Sequence, residues 1–324
     1  MSIFKRSTIT LSAFSAAAIG NIVLGTNAVS TAIAIDAGAD PVFYSAMRFV
    51  VSGLVLLLLI ESLRALRSPH VLRQLCVSAA IVVAFLTFFS IGIELSSALK
   101  ASLLSLTTPV SVYLLSIFVL GEPVIKRALV GGIIALVGGL SLVGLPIILG
   151  QPFVFGDILL LLAYFFLAAS IIHAKYLFHW VDPVTVVSIR FLIGGSAVLA
   201  FMLGWRGWAL FTDLEPAAWG ALVYGVVVVG AVGLVFYYRS LRKIRGEDAA
   251  PLFYLDPMTG VLAAGLLLGD RLDAAAVVGA VIILVGVAIA HPHHSHLVHR
   301  LHFPHPHPWQ FLHREWDKVK HKLH

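Results

Sequence analysis

Charged and amide side chains stand inside long apolar runs of this 324-residue chain. Asp256 lies near the middle of one run, Arg48 and Arg190 lie several residues inside two others, and Asn21 and Asn27 share the first. An isolated carboxylate, guanidinium or amide is costly in an apolar medium unless it has a partner. Asp256, Asn21 and Asn27 are therefore candidates for contact with a small-molecule substrate, and the arginines require partners of their own.

Two of the apolar runs contain a polar residue followed by proline, Thr108-Pro109 and Asp256-Pro257. Proline removes one backbone donor and loosens the preceding helical turn, so freed carbonyl groups can meet a ligand or the helix can bend. We predict that Thr108 and Asp256 contact substrate and that Pro109 and Pro257 shape or gate their helices. A purely structural contact between helices explains Asp256 equally well. Because Thr108 is neutral, a pair of equivalent acids is not expected.

Both arginines are followed by phenylalanine. A guanidinium inside an apolar run can pair with a carboxylate, bind the C-terminal end of a helix or extend to a membrane interface. A binding site for an asymmetric solute would normally differ between its two sides, whereas this motif is duplicated. We therefore predict a structural or gating role for Arg48 and Arg190 rather than contact with substrate.

Aromatic residues recur in the same runs and are further candidates for contact with substrate. Rings stack on apolar or aromatic solutes, while hydroxyl groups and the amides of Asn21 and Asn27 orient polar ends. For any single ring, contact with lipid or a place in the core is the alternative. The candidate rings are Phe85, Phe89, Tyr164, Tyr224 and Tyr254.

Membrane-spanning helices must position these residues. The chain is 60% hydrophobic and only 12% charged, with a mean hydropathy of +0.98. Runs near twenty residues fit a hydrocarbon layer about 30 Å thick, and backbone groups without water partners require helices there. We place ten spans, near residues 10–32, 42–61, 73–93, 97–120, 124–145, 155–177, 184–203, 217–238, 247–268 and 274–290.

The chain repeats itself. Residues 40–49 and 182–191 both run from Asp-Pro to Arg-Phe, and the stretch from Pro109 to Gly121-Glu122 is matched from Pro257 to Gly269-Asp270. Such order indicates duplication, with repeats at residues 1–148 and 149–290. Five spans per repeat place the second repeat upside down relative to the first, which suits alternating access. The predicted fold is an all-α membrane protein of ten transmembrane helices in two inverted five-helix repeats.

Several short motifs resemble those of EamA-type carriers in the drug/metabolite transporter superfamily. Leu24-Gly25-Thr26-Asn27 resembles the family's first-span Trp-Gly-Ser-Asn, with Leu in place of Trp. The other matches are Met47-Arg48-Phe49, Leu120-Gly121-Glu122, Ile189-Arg190-Phe191, Tyr254-Leu255-Asp256-Pro257 and Leu268-Gly269-Asp270. The resemblance covers residues 10–290 and implies a central cavity between the repeats and export of small organic metabolites. Within the family, the chain resembles the branch that exports aromatic amino acids.

Basic residues predict the orientation. With the N-terminus inside, the outside loops hold only Lys100, Arg206 and Arg271, so both termini are expected in the cytoplasm of a bacterium with the chain in its inner membrane. The formal net charge of +6 then reflects topology and contact with a lipid bilayer, and no nucleic-acid partner is expected. The inside loops hold Arg64, Arg67, Arg73, Lys126, Arg127, Lys175, Arg239, Arg242, Lys243 and Arg245.

A stripe of small residues, Gly131, Ala135 and Gly139, runs along the fifth span. Small residues spaced by four allow close helix contact. The stripe predicts packing within the chain or a homodimer contact.

Residues 291–324 form a tail with eleven of the fourteen histidines. Imidazoles bind transition metals, but ordered ligand spacing is missing, so we predict at most weak metal binding, no specific metal site and no cofactor. Farther along the tail, residues 309–323 predict an amphipathic helix on the membrane surface. A metal-handling protein and a membrane sensor or scaffold are the rival functions. Enzymatic activity is not expected, because the spans lack paired acids or a Ser-His arrangement and no P-loop occurs.

Overall fold

The computed structural model describes residues 15–60, 64–120, 126–148, 154–178, 180–212, 214–241, 255–271 and 274–290. Within those ranges the chain is helical and has no strand. The helical segments are α1 Ser15–Asp36, α2 Pro41–Leu57, α3 Pro69–Leu95, α4 Ala98–Val119, α5 Lys126–Ile148, α6 Phe155–Leu177, α7 Pro183–Arg206, α8 Pro216–Tyr238, α9 Leu255–Leu268 and α10 Ala274–Ala290.

The all-helical membrane class predicted from composition is confirmed. Six helices among the described residues, α1, α3, α4, α6, α7 and α8, are long and apolar enough to cross a membrane, and shorter apolar helices occur in α2, α5, α9 and α10. The number of spans, ten, stays a prediction. Helix α1 also ends later than expected, at Asp36 rather than near residue 32.

The duplicated Asp-Pro dipeptides are helix starts. The Asp40 carboxylate accepts hydrogen bonds from the backbone N–H groups of Val42 at 3.0 Å and Phe43 at 2.9 Å. Asp182 accepts one from Val184 at 2.9 Å, and proline occupies the first helical position in both cases. An aspartate cap followed by proline fixes where each helix begins, so the arginine eight residues later takes an equivalent position on α2 and α7.

Helices α2 and α7 cross in opposite directions. The Ser188 hydroxyl, early in α7, donates to the carbonyl of Gly53, late in α2, at 2.8 Å. A Cβ atom on Gly195, later in α7, would lie 3.1 Å from the carbonyl of Ala46, early in α2. Glycine permits this close approach because it has no side chain. The contact brings the two copies of the Arg-Phe motif together.

Helices α5 and α10 form a second close pair. A Cβ on Gly286 would lie 2.4 Å from the backbone nitrogen of Ala135 and 2.6 Å from the carbonyl oxygen of Gly131, and one on Gly138 would lie 2.6 Å from the nitrogen of Ile283. Two residues of the predicted small-residue stripe therefore serve packing inside the chain.

The third residue of the stripe, Gly139, also contacts the same chain, because its Cβ would lie 2.6 Å from Cγ2 of Thr107 in α4. A homodimer remains an untested prediction. The stripe itself is already covered by contacts within the chain.

We predict that Gly286→Val lowers stability strongly. The valine side chain would overlap the backbone of α5, which cannot move aside. Overpacking of this kind costs about 1–3 kcal/mol or more. The expected result is a drop in Tm for the purified protein in detergent. The matched control is Gly204→Val in α7, where nothing lies within 4 Å of the added Cβ. Equal Tm values for the two variants would contradict this packing of α5 and α10.

Four helices depart from regular α geometry. Helix α1 has a turn at Thr26, whose hydroxyl donates to the carbonyl of Val23 at 2.7 Å. Helix α4 contains a 3-10 turn at Ser105–Thr107, α8 a π-helical stretch at Gly225–Gly233, and α9 another at Ala264–Leu268. Irregular backbone at membrane depth is tolerated where protein or a polar cavity satisfies it. The first three of these departures border the cavity described below.

Candidate functional site

A cavity of about 610 Å³ lies inside the helix assembly, within the size range of about 300–1,000 Å³ typical of small-molecule sites. Among the described residues, its walls come from α1 to α4 and from α6 to α9, together with Phe178, while α5 and α10 contribute none. Eleven residues predicted from the sequence line it: Asn21, Asn27, Arg48, Phe85, Phe89, Thr108, Pro109, Tyr164, Arg190, Asp256 and Pro257.

Two predicted aromatic residues do not fall in this group. Tyr224 is absent from the described wall, and its side chain is 37% exposed. Its hydroxyl shares a hydrogen bond of 2.8 Å with the hydroxyl of Thr26, at the turn in α1. Tyr224 directly precedes the irregular part of α8, and its contact with substrate stays a prediction. Tyr254 lies outside the described residues.

The two Arg-Phe motifs meet at the cavity wall. The rings of Phe49 and Phe191 stack with centroids 4.1 Å apart and planes 7° from parallel. The guanidinium of Arg48 lies 5.5 Å from the centroid of the Phe49 ring, and that of Arg190 lies 5.8 Å from that of Phe191. Each cation can thus interact with the face of its neighbouring ring. The duplicated motif builds a local, nearly symmetric centre from two distant parts of the chain.

Each arginine also donates to a polar residue in the preceding helix of the wall. Arg48 donates to the side-chain oxygen of Asn27, 21 residues earlier. Arg190 donates through Nη1 to the hydroxyl of Ser170, 20 residues earlier, at 3.0 Å, and through Nη2 to the hydroxyl of Tyr238 at 2.8 Å. Each arginine is thus connected to the preceding helix of the wall by a hydrogen bond to a neutral side chain.

Neither arginine reaches the interface or a carboxylate. Their side chains are buried, with 4% of Arg48 and 3% of Arg190 exposed. Among the described residues, ion pairs join Lys100 to Asp157 and Arg206 to Asp40, and the cavity arginines take part in neither. The predicted pairing with an acid or extension to the interface is not what the structure shows: the partners are neutral and the cations face the cavity.

Asp256 is the acidic residue of the described cavity wall. Within the described part of the chain, no hydrogen bond or ion pair reaches its carboxylate. The hydroxyls of Tyr164 and Tyr237 lie within electrostatic range of it. Its backbone carbonyl packs on α1, because a Cβ on Gly25 would lie 2.2 Å from that oxygen. The acid is held in place by backbone packing while its side chain remains available to a ligand.

Aromatic rings line the middle of the cavity. The rings of Phe85 and Phe89 lie 5.3 Å apart, and Phe89 meets Tyr164 edge to face at 6.2 Å. Such an arrangement gives a ring-shaped solute an apolar surface with one hydroxyl nearby.

Sequence reasoning missed several wall residues, notably Phe49, Ser170, Phe191, Tyr237 and Tyr238. One signal was present. Residue 27 lies 21 positions before the first arginine, and a polar residue, Ser170, lies 20 positions before the second. The offset between the two arginines, applied to Asn27, falls on Ala169, one residue before Ser170, so the repeat indicated this turn of α6 rather than the residue itself.

Hydrogen bonds and an ion pair connect α4, α6 and the residues after α9 at one end of the assembly. Lys100 Nζ donates to the Asp157 carboxylate at 2.8 Å, and the Ser96 hydroxyl donates to the same group. The backbone N–H of Leu99 donates to the Asp270 carboxylate at 3.3 Å. We call this group of five residues, at the start of α4, the clasp.

A second connection lies at this same end. Arg206 donates to Asp40 at 2.6 Å, and the backbone N–H of Glu215 donates to the carbonyl of Ala37 at 3.1 Å. None of the clasp residues lines the described cavity wall, which instead continues to Lys175 and Phe178 at the other end of α6. The cavity thus extends toward the end opposite the clasp.

Comparison with known families decides the class of protein. The sequence model of the EamA-like transporter family matches residues 11–144 and again residues 154–290. The chain belongs to the EamA-like transporter family. The resemblance inferred from the short motifs is therefore confirmed, and the protein is a membrane transporter of the EamA and drug/metabolite transporter type.

Relatives of this EamA-like transporter come from varied organisms. The uncharacterized transporter YetK of Bacillus subtilis is 23% identical over 257 residues, covering 77% of this chain and 78% of that protein. The aromatic amino acid exporter YddG of Ancylobacter novellus is 34% identical over 110 residues, covering 34% of this chain and 37% of that one. A solved crystal structure with 19% identity superposes with a TM-score of 0.61 over 90% of this chain and 99% of that chain, which shows a shared fold.

Proposed function

We propose that this EamA-like transporter exports small organic metabolites, with aromatic and other amino acids and amphipathic compounds as the candidate substrates. The supporting observation is the cavity of about 610 Å³, which is lined by aromatic rings, an acid and two arginines. The rings of Phe85, Phe89 and Tyr164 suit an aromatic body, and Asp256 suits a positively charged group such as an ammonium. The partial similarity to an aromatic amino acid exporter agrees with this choice.

Transport by alternating access would use two inverted repeats, residues 1–148 and 149–290. The opposite directions of α2 and α7 and the matched arginine contacts support this proposal. In such carriers the repeats rock around a fixed central site. Pro109 and Pro257, beside the central site, would serve as points where α4 and α9 bend.

The orientation follows from charge. Basic residues such as Arg67, Arg73 and Lys175 lie at the end opposite the clasp, which we assign to the cytoplasm of a bacterial cell, with the clasp at the outer face and both termini inside. On this assignment the structure has its cavity open to the cytoplasm and closed to the outside. That is the state expected to load a substrate for export.

The experiment that tests the proposal is flux into proteoliposomes, with a panel of amino acids and organic cations, with and without a pH gradient. Substrate-dependent flux above that of empty liposomes supports the proposal, and a dependence on the gradient would indicate proton antiport rather than facilitated efflux. Absence of flux for the whole panel would favour the sensor or scaffold function, and no enzymatic activity is proposed.

A prediction concerns the histidine tail, residues 291–324, which lies outside the described residues. Deleting the tail should leave flux within about twofold of that of the full chain, because the described cavity walls lie elsewhere. This result is expected if the tail only binds metal weakly and rests on the membrane. Flux of the truncated and full chains in proteoliposomes, compared at equal amounts of inserted protein, measures this. Loss of all flux on deletion would instead support a metal-handling role. Within the described residues, no group of three or more potential metal ligands occurs.

A further inference from the structure

The charges of the described cavity wall are unequal. Arg48, Lys175 and Arg190 are cationic, whereas Asp256 is the acid. An enclosed space with apolar walls strengthens the field of such charges on a solute, because little water screens them. The wall therefore favours a solute with a negatively charged group.

The guanidinium of Arg190 lines this wall and has no counter-ion within the described part of the chain. Its Nη atoms donate to Ser170 and Tyr238, but Nε has no hydrogen-bond partner among the described residues although the side chain is 3% exposed. All of its bonds go to neutral groups. A buried guanidinium without a counter-ion is costly, and an anionic group at the cavity wall beside Arg190 would supply one.

A face of α6 extends this position toward the open end of the cavity. Ser170, Ile171, Lys175 and Phe178 all line the wall there, as the spacing of three and four residues along a helix allows. Lys175 is exposed, at the last turn of the helix. A negatively charged solute entering from this end would meet Lys175 first and Arg190 farther in.

We propose that the transported solute carries a carboxylate or another anionic group, which Arg190 binds, with Lys175 drawing it into the cavity. This inference rests on the proposed transport function and adds the charge of the substrate to it. Arg190 is thus a specificity-determining residue, and the anchoring role predicted from its duplication accounts for only part of what it does. Arg190 is favoured over Arg48 because it bonds to Ser170, on the face of α6 that also carries Lys175, whereas Arg48 bonds to Asn27 in α1.

A series of probes with one ring and different charge tests the proposal. Phenylpropanoate is an anion at neutral pH, phenylpropanamide is neutral and phenylpropylamine is a cation. Binding of each labelled probe to the purified full chain in detergent is measured by equilibrium dialysis, and flux of the charged probes is measured in proteoliposomes. We expect phenylpropanoate to bind at least about 10-fold more tightly than the amine, since a hydrogen bond to a charged group is worth that much.

Variants of Arg190 test whether this residue causes the preference for the anion. Arg190→Gln should weaken phenylpropanoate binding by about 10- to 100-fold while changing phenylpropanamide binding by less than about 2-fold. Arg190→Lys should recover part of the anion preference, because it keeps the charge but loses the planar fork. The control is Arg73→Gln, an exposed arginine of α3 outside the described cavity wall, which should change neither. Tm values of all variants are measured in parallel.

Three results overturn the inference: a preference for the amine, equal loss of all probes in Arg190→Gln, or binding of none of the three probes. These results leave the transport proposal standing if the broader panel still gives flux. Absence of flux with every member of that panel, in contrast, removes the transport proposal itself.

Discussion

Replacing Asp256 by asparagine should reduce substrate flux by at least about 10-fold, since losing one buried charged contact costs about 2–5 kcal/mol. Asparagine has nearly the same shape, so the backbone packing of α9 on Gly25 should survive. The variant removes only the charge and the ability to take up a proton. If the acid couples transport to protons, any response of flux to a pH gradient should disappear as well.

The measurement compares the flux of Asp256→Asn with that of Asp36→Asn, which changes an exposed acid at the end of α1. Melting of both proteins in detergent is recorded too. Unchanged flux in Asp256→Asn would rule out a role in transport. Flux that falls only in step with a lower Tm would assign the acid to helix packing, the alternative that the sequence left open.

The substitution Lys100→Glu should open the cavity at the clasp. The Asp157 carboxylate is 3% exposed and the Lys100 side chain 25% exposed, so their pair is better shielded than a surface pair. Removing the cation leaves a buried acid facing a like charge, which costs about 3–5 kcal/mol for a fully buried pair and less here. Separation of α4 from α6 would let water reach both groups. We expect the protein to shift toward a state open at the clasp.

Access to the cavity from the clasp side reports this shift. The single cysteine, Cys76, is replaced by serine, and a new cysteine is placed at Ser102, which lines the cavity. A membrane-impermeant maleimide added outside should react at least about 10-fold faster in the Lys100→Glu background, as a shift of about 1.4 kcal/mol in the equilibrium suffices for this. Export should fall in the same variant, because the state open to the cytoplasm is depleted.

The other ion pair at this end supplies the control. Arg206 is 57% exposed and its partner Asp40 16% exposed, and exposed pairs contribute only about 0–1 kcal/mol. Arg206→Gln should therefore leave the maleimide reaction nearly unchanged. Equal labelling of the Lys100→Glu and unaltered backgrounds would show that the clasp does not hold the end closed.

The arginine motifs show why sequence reasoning gave the position of these residues but not their partners. Their duplication was visible, and the caps at Asp40 and Asp182 fix the same register in both helices. Whether a guanidinium inside a span points to an acid, an interface or a cavity depends on what lies opposite. That neighbour belongs to another helix, so the spacing along the chain did not contain the answer.

The aromatic residues show the same limit of sequence reasoning. Phe85, Phe89 and Tyr164 line the cavity, whereas Tyr224 is not among the residues of the described wall. All four lie in apolar runs with similar neighbours, and a helix hydrophobic all round gives little periodic signal of its inner face. In α8 the π-helical stretch that follows Tyr224 further changes the rotation of the helix, which no regular period predicts.

The sequence alone determined the membrane class, the all-helical structure, the family and eleven of the residues that line the described cavity. These follow from local properties: apolar length, the ban on unpaired backbone groups in lipid and polar residues that an apolar run would not otherwise keep. Only the tertiary structure decided which helices pair, that Phe49 and Phe191 stack, that the arginines lack acidic partners, and which end is closed. Each of these is a contact between segments far apart in the chain, and such contacts are set by how all the helices pack together.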